Sequence, residues 1–328
     1  MHTRALTLAP CLVLALGAVA TGCTDDVGAA CARPTDCPAG QTCADGDCVP
    51  RYPDAGRPDA DPDLRPSRDL TPSADTLADG RSTDGGAGCT PNNNGSVERD
   101  EIIFAVPAEV SVTVAENVAV DLAGTQSGGT TTWDLTTLPE QSTRKVAVMP
   151  VPGWATPDFA EATYASELMP DYGVLTKTSL LGVFKVTPTA LQLLGAVSDK
   201  AKHTRLSYGS PLDLLRFPIA KGDTFETSTS VTGYSELYPL VTYTERYAID
   251  VLEQGRLALI PGLTLDTLLV RVTQAVSQAF LPLPEVKTVA FIFVAECYGT
   301  VARIIAESDP GAALGKVQAK EAWRLAAP

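Results

Sequence analysis

Apolar and polar residues alternate one by one along much of the chain after about residue 105. In AEVSVTVAENVAVDLAG, Val110, Val112 and Val114 are separated by polar residues, and the alternation resumes at Val118 and ends at Leu122. A period of two is typical of β-strands with one buried face. We therefore expect two strands here, joined as a hairpin by a short turn.

The stretch VTYTERYAIDVLEQGRLALIPG repeats this pattern. Five large apolar or aromatic side chains fall on one face of it: Val241, Tyr243, Tyr247, Ile249 and Val251. The polar triplet Glu253, Gln254 and Gly255 follows, and it predicts a turn between two further strands.

Longer apolar runs complete the pattern. LDTLLVRVTQ and KTVAFIFVAECYGTVARII predict long strands, and the second is apolar on both faces, which is typical of a central strand. KEAWRLAAP has Trp323 and Leu325 in step and could close the sheet. Helical spacing is scarce, and FAEATYASELM is the best helix candidate. Residues 105–328 are thus predicted to be mainly β, as an antiparallel curved sheet or sandwich, with an open half-barrel as one form.

The N-terminus has a different pattern. His2 and Arg4 precede an apolar run that ends at Ala20, which is typical of a secretory signal and too short for a comfortable membrane span. Residues 20–23, ATGC, resemble the lipobox of bacterial lipoproteins. That resemblance implies a signal peptide over 1–22, lipid on Cys23 and a tether over 23–30. The alternative is an ordinary signal cleaved nearby, with Cys23 as a structural thiol.

Cysteine parity supports the lipid. The chain has 8 cysteines, and Cys11 leaves with the signal, so that an odd number remains. Acylation of Cys23 leaves six, which can pair completely. The lipid makes a membrane the first predicted partner. Because Thr24 stands where an inner-membrane retention signal has Asp, the resemblance implies an outer-membrane lipoprotein, on either its periplasmic or its surface face.

A cysteine-rich module is predicted over residues 31–48, CARPTDCPAGQTCADGDC. Its four cysteines are Cys31, Cys37, Cys43 and Cys48. So short a segment has no room for a hydrophobic core, which predicts two disulfides. Three pairings are open, and the interleaved one, first with third, is favoured. The module resembles dickkopf-type and EGF-like repeats, whereas zinc binding is the rival interpretation.

Residues 49–88 are rich in Pro, Asp, Arg and small residues. Such a composition cannot bury enough apolar surface to offset the entropy of ordering, so we predict a disordered, extended linker that acts as a stalk.

Residues 89–104 resemble an EF-hand or dockerin calcium loop, with Gly95 at the sharp turn. The matching oxygen ligands are Asn92, Asn94, Glu98 and Glu101. Thr90 stands where the pattern has Asp, and few of the ligands are charged. The resemblance implies a structural Ca²⁺ and no other cofactor. The alternative is an Asn-Gly turn that caps a short helix.

Cys89 lies directly before the predicted β region, and Cys297 shares a strand face with Phe291 and Phe293. We expect these two cysteines to form a disulfide that locks the start of the domain to its penultimate strand. The alternative is two separate thiols, with Cys297 as a small buried hydrophobe.

Charge and motif content exclude several function classes. With 39 acidic and 25 basic residues the net charge is −14, which opposes nucleic-acid binding. His203 is the one histidine after the signal, and no G-x-S-x-G, P-loop or G-x-G-x-x-G motif occurs. We therefore predict that the protein is not an enzyme, although a pair of carboxylates of the glycosidase kind would leave no short motif.

A proline-rich connection carries four aromatic residues: Trp154, Phe159, Tyr164 and Tyr172. Aromatic side chains on a rigid loop suit sugars, peptides or apolar ligands, and packing over the sheet is the alternative. The phrases FPIAKGDTFE, IPGLTLDTLLVRV and ECYGTVARI are similar to those of Gram-negative envelope lipoproteins. That resemblance implies long curved antiparallel strands and no particular activity.

Three functional hypotheses follow. The first is a non-catalytic, lipid-anchored envelope or surface protein that presents a β domain on a stalk to a protein or glycan partner. The second is a carrier or sensor of apolar ligands within a curved sheet. The third is a hydrolase that uses a carboxylate pair.

Overall fold

The computed structural model describes residues 41–44, 47–50, 89–102, 106–169, 178–200, 203–236, 238–278, 284–311 and 314–326. The predicted signal peptide, the predicted lipidation site Cys23, residues 51–88 of the predicted linker and most of the predicted cysteine-rich module lie outside the described residues. The chain divides into two compact units, with Leu14–Gly80 in one and Arg81–Pro328 in the other.

The smaller unit contains a two-stranded antiparallel hairpin of β1 (Gln41–Ala44) and β2 (Asp47–Pro50). Its register sets Cys43 opposite Cys48. The last two cysteines of the module therefore lie on facing strands, and the pairing of all four stays a prediction.

The larger unit consists almost wholly of strands. In chain order they are β3 (Ser96–Val97), β4 (Ala108–Asp121), β5 (Thr125–Ser127), β6 (Thr130–Asp134), β7 (Ser142–Met149), β8 (Tyr164–Met169), β9 (Leu180–Val186), β10 (Ala190–Ser198), β11 (Arg205–Arg216), β12 (Ile219–Ala220), β13 (Thr224–Tyr234), β14 (Val241–Ile260), β15 (Leu263–Gln278), β16 (Val286–Ala295), β17 (Gly299–Ala306) and β18 (Lys316–Leu325). Two single 3-10 turns, Arg99–Glu101 and Thr156–Asp158, are the helical elements among the described residues.

Twelve strands form one closed antiparallel ring in the order β13, β11, β10, β9, β8, β7, β4, β18, β17, β16, β15 and β14, with β14 pairing back to β13. The prediction of a mainly β, antiparallel fold is confirmed. The closed barrel is more specific than the predicted curved sheet or sandwich, and it differs from the half-barrel form because β13 pairs on both sides and closes the ring. Outside the ring, β6 pairs in parallel with β14 and in antiparallel with β5.

Three local predictions are also wrong. The expected hairpin over 110–122 is the single strand β4, since β18 pairs along both of its halves, and the expected turn is reduced to a positive φ of 52° at Asn117. The expected turn at Glu253 is a register shift within the continuous β14. The helix candidate FAEATYASELM instead ends in strand β8, which the neighbouring β9 pairs.

The two faces of the ring differ in what covers them. Leu191 of β10 belongs to apolar clusters with Ile249 and with Tyr247 of β14, a strand that is not its neighbour in the ring. Such contacts cross the barrel, so this face points inward. The opposite face of β14–β18 is covered by residues 122–141, whose Trp133 packs edge-on against Phe293 with ring centroids 5.1 Å apart.

The segment that follows Cys89 closes one end of the barrel. Cys89 forms a disulfide with Cys297, with Cα atoms 5.6 Å apart, as the sequence predicted. The Glu296 carboxylate accepts hydrogen bonds from the backbone N–H groups of Asn92, at 2.6 Å, and Asn93, at 3.0 Å. Strand β3 then pairs with β12, and Val97 is buried in the inward cluster that contains Val251, Val270 and Val294.

The seam between β13 and β11 depends on a close backbone approach at Gly233. A Cβ there would lie 1.9 Å from the carbonyl oxygen of Arg205, on the strand that completes the ring. No side-chain rearrangement relieves a clash with backbone, so only glycine fits.

We therefore expect Gly233→Ala to open the seam and to lower the free energy of unfolding by about 1–3 kcal/mol. Urea denaturation followed by tryptophan fluorescence measures this. Gly153→Ala is the matched control, because a Cβ at Gly153 meets no atom within 4 Å, and its effect should stay within about 0.5 kcal/mol. Equal effects of the two substitutions would contradict the role of Gly233.

Candidate ligand-binding interior

The inward face of β14 carries a buried carboxylate. The alternation that sets Tyr243 and Tyr247 on this face also sets Glu245 between them, with 2% of its surface exposed. The hydroxyl groups of Tyr208 and Tyr247 donate to Glu245 Oε2 at 3.0 and 3.1 Å. Gln274 of the neighbouring β15 donates to the Tyr247 hydroxyl at 2.9 Å.

Burial dominates the electrostatics of this cluster. It raises the pKa of Glu245 above its ordinary value, against the opposing effect of hydrogen bonds from Tyr208, Tyr247, Tyr243 and Gln274. Burial also raises the pKa values of Tyr208 and Tyr247 well above the ordinary value, and the nearby Glu245 raises them further. The carboxyl group is therefore saturated with hydrogen-bond donors inside an apolar wall.

Charged side chains also line the far wall of the interior, on β7, β17 and β18. Register pairs Ile292 with Arg303 and Arg303 with Trp323, so these three share the inward face with Val270, the partner of Ile292. Two residues before Trp323 on the same face, Glu321 lies 3.9 Å from the guanidinium of Arg144 on β7.

Three inward-facing residues on this wall are less buried than their outward-facing neighbours, although Val270 on the same face is 0% exposed. Ile292, Arg303 and Trp323 are half-buried, whereas Phe291 and Ile304, on the outer face of the same strands, are 2% and 0% exposed. In a solidly packed core the inward residues would be the buried ones. Accessible space thus remains inside the barrel beside β16–β18.

The four predicted ligand-binding aromatics do not form one site. Phe159 is buried and Trp154 half-buried in a cluster on the outer face of β8–β10, with Val183 and Val197. Tyr164 points inward and stacks on Phe184, with ring centroids 5.0 Å apart. Tyr172 lies outside the described residues. The packing alternative therefore holds for Phe159, and Tyr164 belongs to the interior instead.

The calcium-like turn uses its side-chain oxygens to hold itself together. Asn92 Oδ1 accepts from the N–H of Asn94, and Asn94 Oδ1 accepts from the N–H of Ser96, each at 2.8 Å. Glu101 Oε2 accepts from the N–H of Glu98 at 2.8 Å, while its Oε1 accepts from the side chain of Asn92. Calcium binding here stays a prediction, as does the carboxylate-pair hydrolase. The described residues contain no group of three or more His, Cys, Asp or Glu side chains placed to hold a metal ion.

Glu245, Arg303 and Glu321 were not among the predicted site residues. Glu245 could have been noticed as a lone charge on the apolar face of β14. No comparable signal marked Arg303, because β17 lies in a run that is apolar on both faces, so its inward face could not be identified from the sequence.

Within the described part of the chain, helices long and apolar enough to cross a bilayer do not occur.

Neither a known protein family nor a curated protein matches this sequence. Among solved structures, a candidate lipoprotein of Parabacteroides distasonis is similar over 68% of this chain and 96% of its own length, with 10% sequence identity and a TM-score of 0.29. A likeness at that score carries no argument about function.

The raised pKa of Glu245 predicts a specific pH dependence of stability. The folded state binds this proton more tightly than the unfolded state, so the stabilisation is present below the ordinary pKa and is lost as the pH rises through the folded pKa. The Glu245→Gln variant lacks this proton equilibrium. We expect the unfolding free energy of the wild type, minus that of the variant, to fall as the pH rises from about 4, the ordinary pKa of glutamic acid, towards neutral pH.

Urea denaturation across that range measures the difference. Glu226→Gln is the control, because Glu226 is exposed on the neighbouring strand β13, and its difference from the wild type should stay flat. A difference for Glu245→Gln that rises with pH would show that the carboxylate form is the one that the fold stabilises.

Proposed function

We propose that this chain is a non-catalytic, lipid-tethered binding protein of the bacterial envelope, which holds an amphipathic ligand inside its barrel. The observation that carries the proposal is the half-buried inner wall of Ile292, Arg303 and Trp323, behind an outer face that is fully buried. Ring closure supports it, since a sheet without free edges surrounds an interior ligand laterally and presents its inward-facing side chains to it.

The interior combines the two chemical characters that an amphipathic ligand needs. Ile292 and Trp323 offer half-exposed apolar and aromatic surface, while Arg303 between them offers a positive charge and hydrogen-bond donors. Ligand sites are mostly apolar with a few convergent polar groups, and this wall has that composition.

The tether is the second part of the proposal. Lipid on Cys23 and a stalk over 49–88 would hold the barrel at an outer membrane. The disulfide at Cys89 supports this arrangement, because the chain is linked covalently to Cys297 at the first residue after the stalk. A pulling force on the stalk would then be transmitted through the disulfide to Cys297. It would not separate β3 from the barrel.

Saturable binding of an uncharged apolar dye tests the interior. We expect the full-length chain carrying Cys23→Ser, after removal of any non-covalently bound lipid, to bind Nile red at about one molecule per chain. A closed interior accommodates only a limited volume. Fluorescence titration gives the stoichiometry. Native mass spectrometry of the same protein before bound lipid is removed should show a co-purified ligand. Failure of both measurements would overturn the interior-binding proposal.

Presentation of the barrel on a stalk to a protein or glycan partner is the second candidate function, favoured by the same disulfide at the stalk junction. We expect the native protein to begin at Cys23 with acyl mass attached, and protease treatment of whole cells to release the barrel. Intact mass and shaving experiments measure these two properties. A barrel that survives shaving because it faces the periplasm would contradict surface presentation and leave the binding proposal intact.

A further inference from the structure

We propose that Arg303 anchors the head group of a long-chain monocarboxylate, such as a fatty acid, in the barrel interior. This inference rests on the proposed binding function, since it requires an interior that admits a ligand. It goes further by naming the chemical class of the ligand and the residue that recognises it.

The cross-strand neighbours of Arg303 on the inward face are apolar or aromatic, and the charged Glu321 and Arg144 lie further along the same wall. Those cross-strand neighbours are Ile292 and Trp323, and Ile305 follows on the same face of β17. An alkyl chain has no other polar group that would need a partner, so it can lie along these side chains without an unpaired polar atom.

The charge of Arg303 is not matched by the protein. The described residues give its guanidinium no hydrogen bond and no ion pair within 4.0 Å, because Glu321 lies against Arg144 instead. Burial lowers the pKa of Arg303, with Glu321 opposing this effect and Arg144 adding to it. An inward-facing, half-buried cation thus has no ion pair within 4.0 Å among the described residues, and an anionic ligand would supply one.

Glu245 shows by contrast why the ligand should be an anion. Its carboxyl group already accepts from the hydroxyls of Tyr208 and Tyr247, so an ammonium ligand would have to displace existing partners. Arg303 requires no such displacement. One guanidinium without a direct ion pair suits one carboxylate, whose two oxygens fit its planar fork.

The test uses cis-parinaric acid and its methyl ester as fluorescent probes, with the full-length chain carrying Cys23→Ser. We expect the acid to bind at least about 10-fold more tightly than the ester, since a charge-assisted pair is lost with the ester. Arg303→Gln should bring the affinity for the acid down to that for the ester while leaving the affinity for the ester unchanged. Arg303→Lys, which keeps the charge, should retain part of the preference for the acid.

Arg256→Gln is the matched control, because Arg256 is exposed on β14, and it should leave both affinities unchanged. Equal affinities of the wild type for acid and ester would overturn the inference. So would the loss of affinity for both probes in Arg303→Gln, if Arg303→Lys also shows no preference for the acid. The wild-type comparison does not depend on whether any variant folds. If Nile red and both parinaric probes all fail to bind, the proposed binding function fails, whereas saturable Nile red binding without a preference for the acid refutes this inference alone.

Discussion

Closure of the sheet through β13 is the constraint on which the rest of the structure depends. β13 pairs with β11 over four residues at one end and with β14 over ten residues along its length. A sheet with exposed edges would leave rows of backbone N–H and C=O groups unpaired, and this double pairing removes both edges. Only a closed ring has an inside, so every statement about the interior follows from that seam and from the close approach at Gly233.

Burial of charge gives the interior its chemistry. Glu245 is enclosed by donors from three strands, so its desolvation is offset in part by hydrogen bonds, and its pKa still rises because burial dominates. Arg303 faces the same interior with no hydrogen bond from the described residues. The protein supplies hydrogen-bond donors to Glu245 but gives Arg303 no direct partner among the described residues. Glu245 is therefore a structural group, whereas Arg303 is suited to bind a ligand.

The segment that begins at Cys89 is held by both covalent and hydrogen-bonded restraints. The disulfide of Cys89 with Cys297 and the two backbone amides bound by Glu296 hold the first residues of the larger unit against the end of β16. β3 and Val97 then close that end of the barrel. The segment that resembles a calcium loop therefore has a second role that requires no ion, as a clasp at the barrel end.

The sequence by itself indicated a mainly β, antiparallel fold and, for several strands, which residues share a face, because the period of two is a local property of the chain. It also indicated the bridge between Cys89 and Cys297, since parity and position left these two cysteines as partners. Tertiary structure alone decided that the ring closes, that β4 and β14 run through their expected turns, and that Phe159 lies outside while Tyr164 lies inside. Alternation distinguishes two faces without saying which one encloses space, and on β14–β18 the outer face is the more buried one because residues 122–141 cover it. The positions of Glu245 and Arg303 in the interior were decided by pairing between strands far apart in the chain.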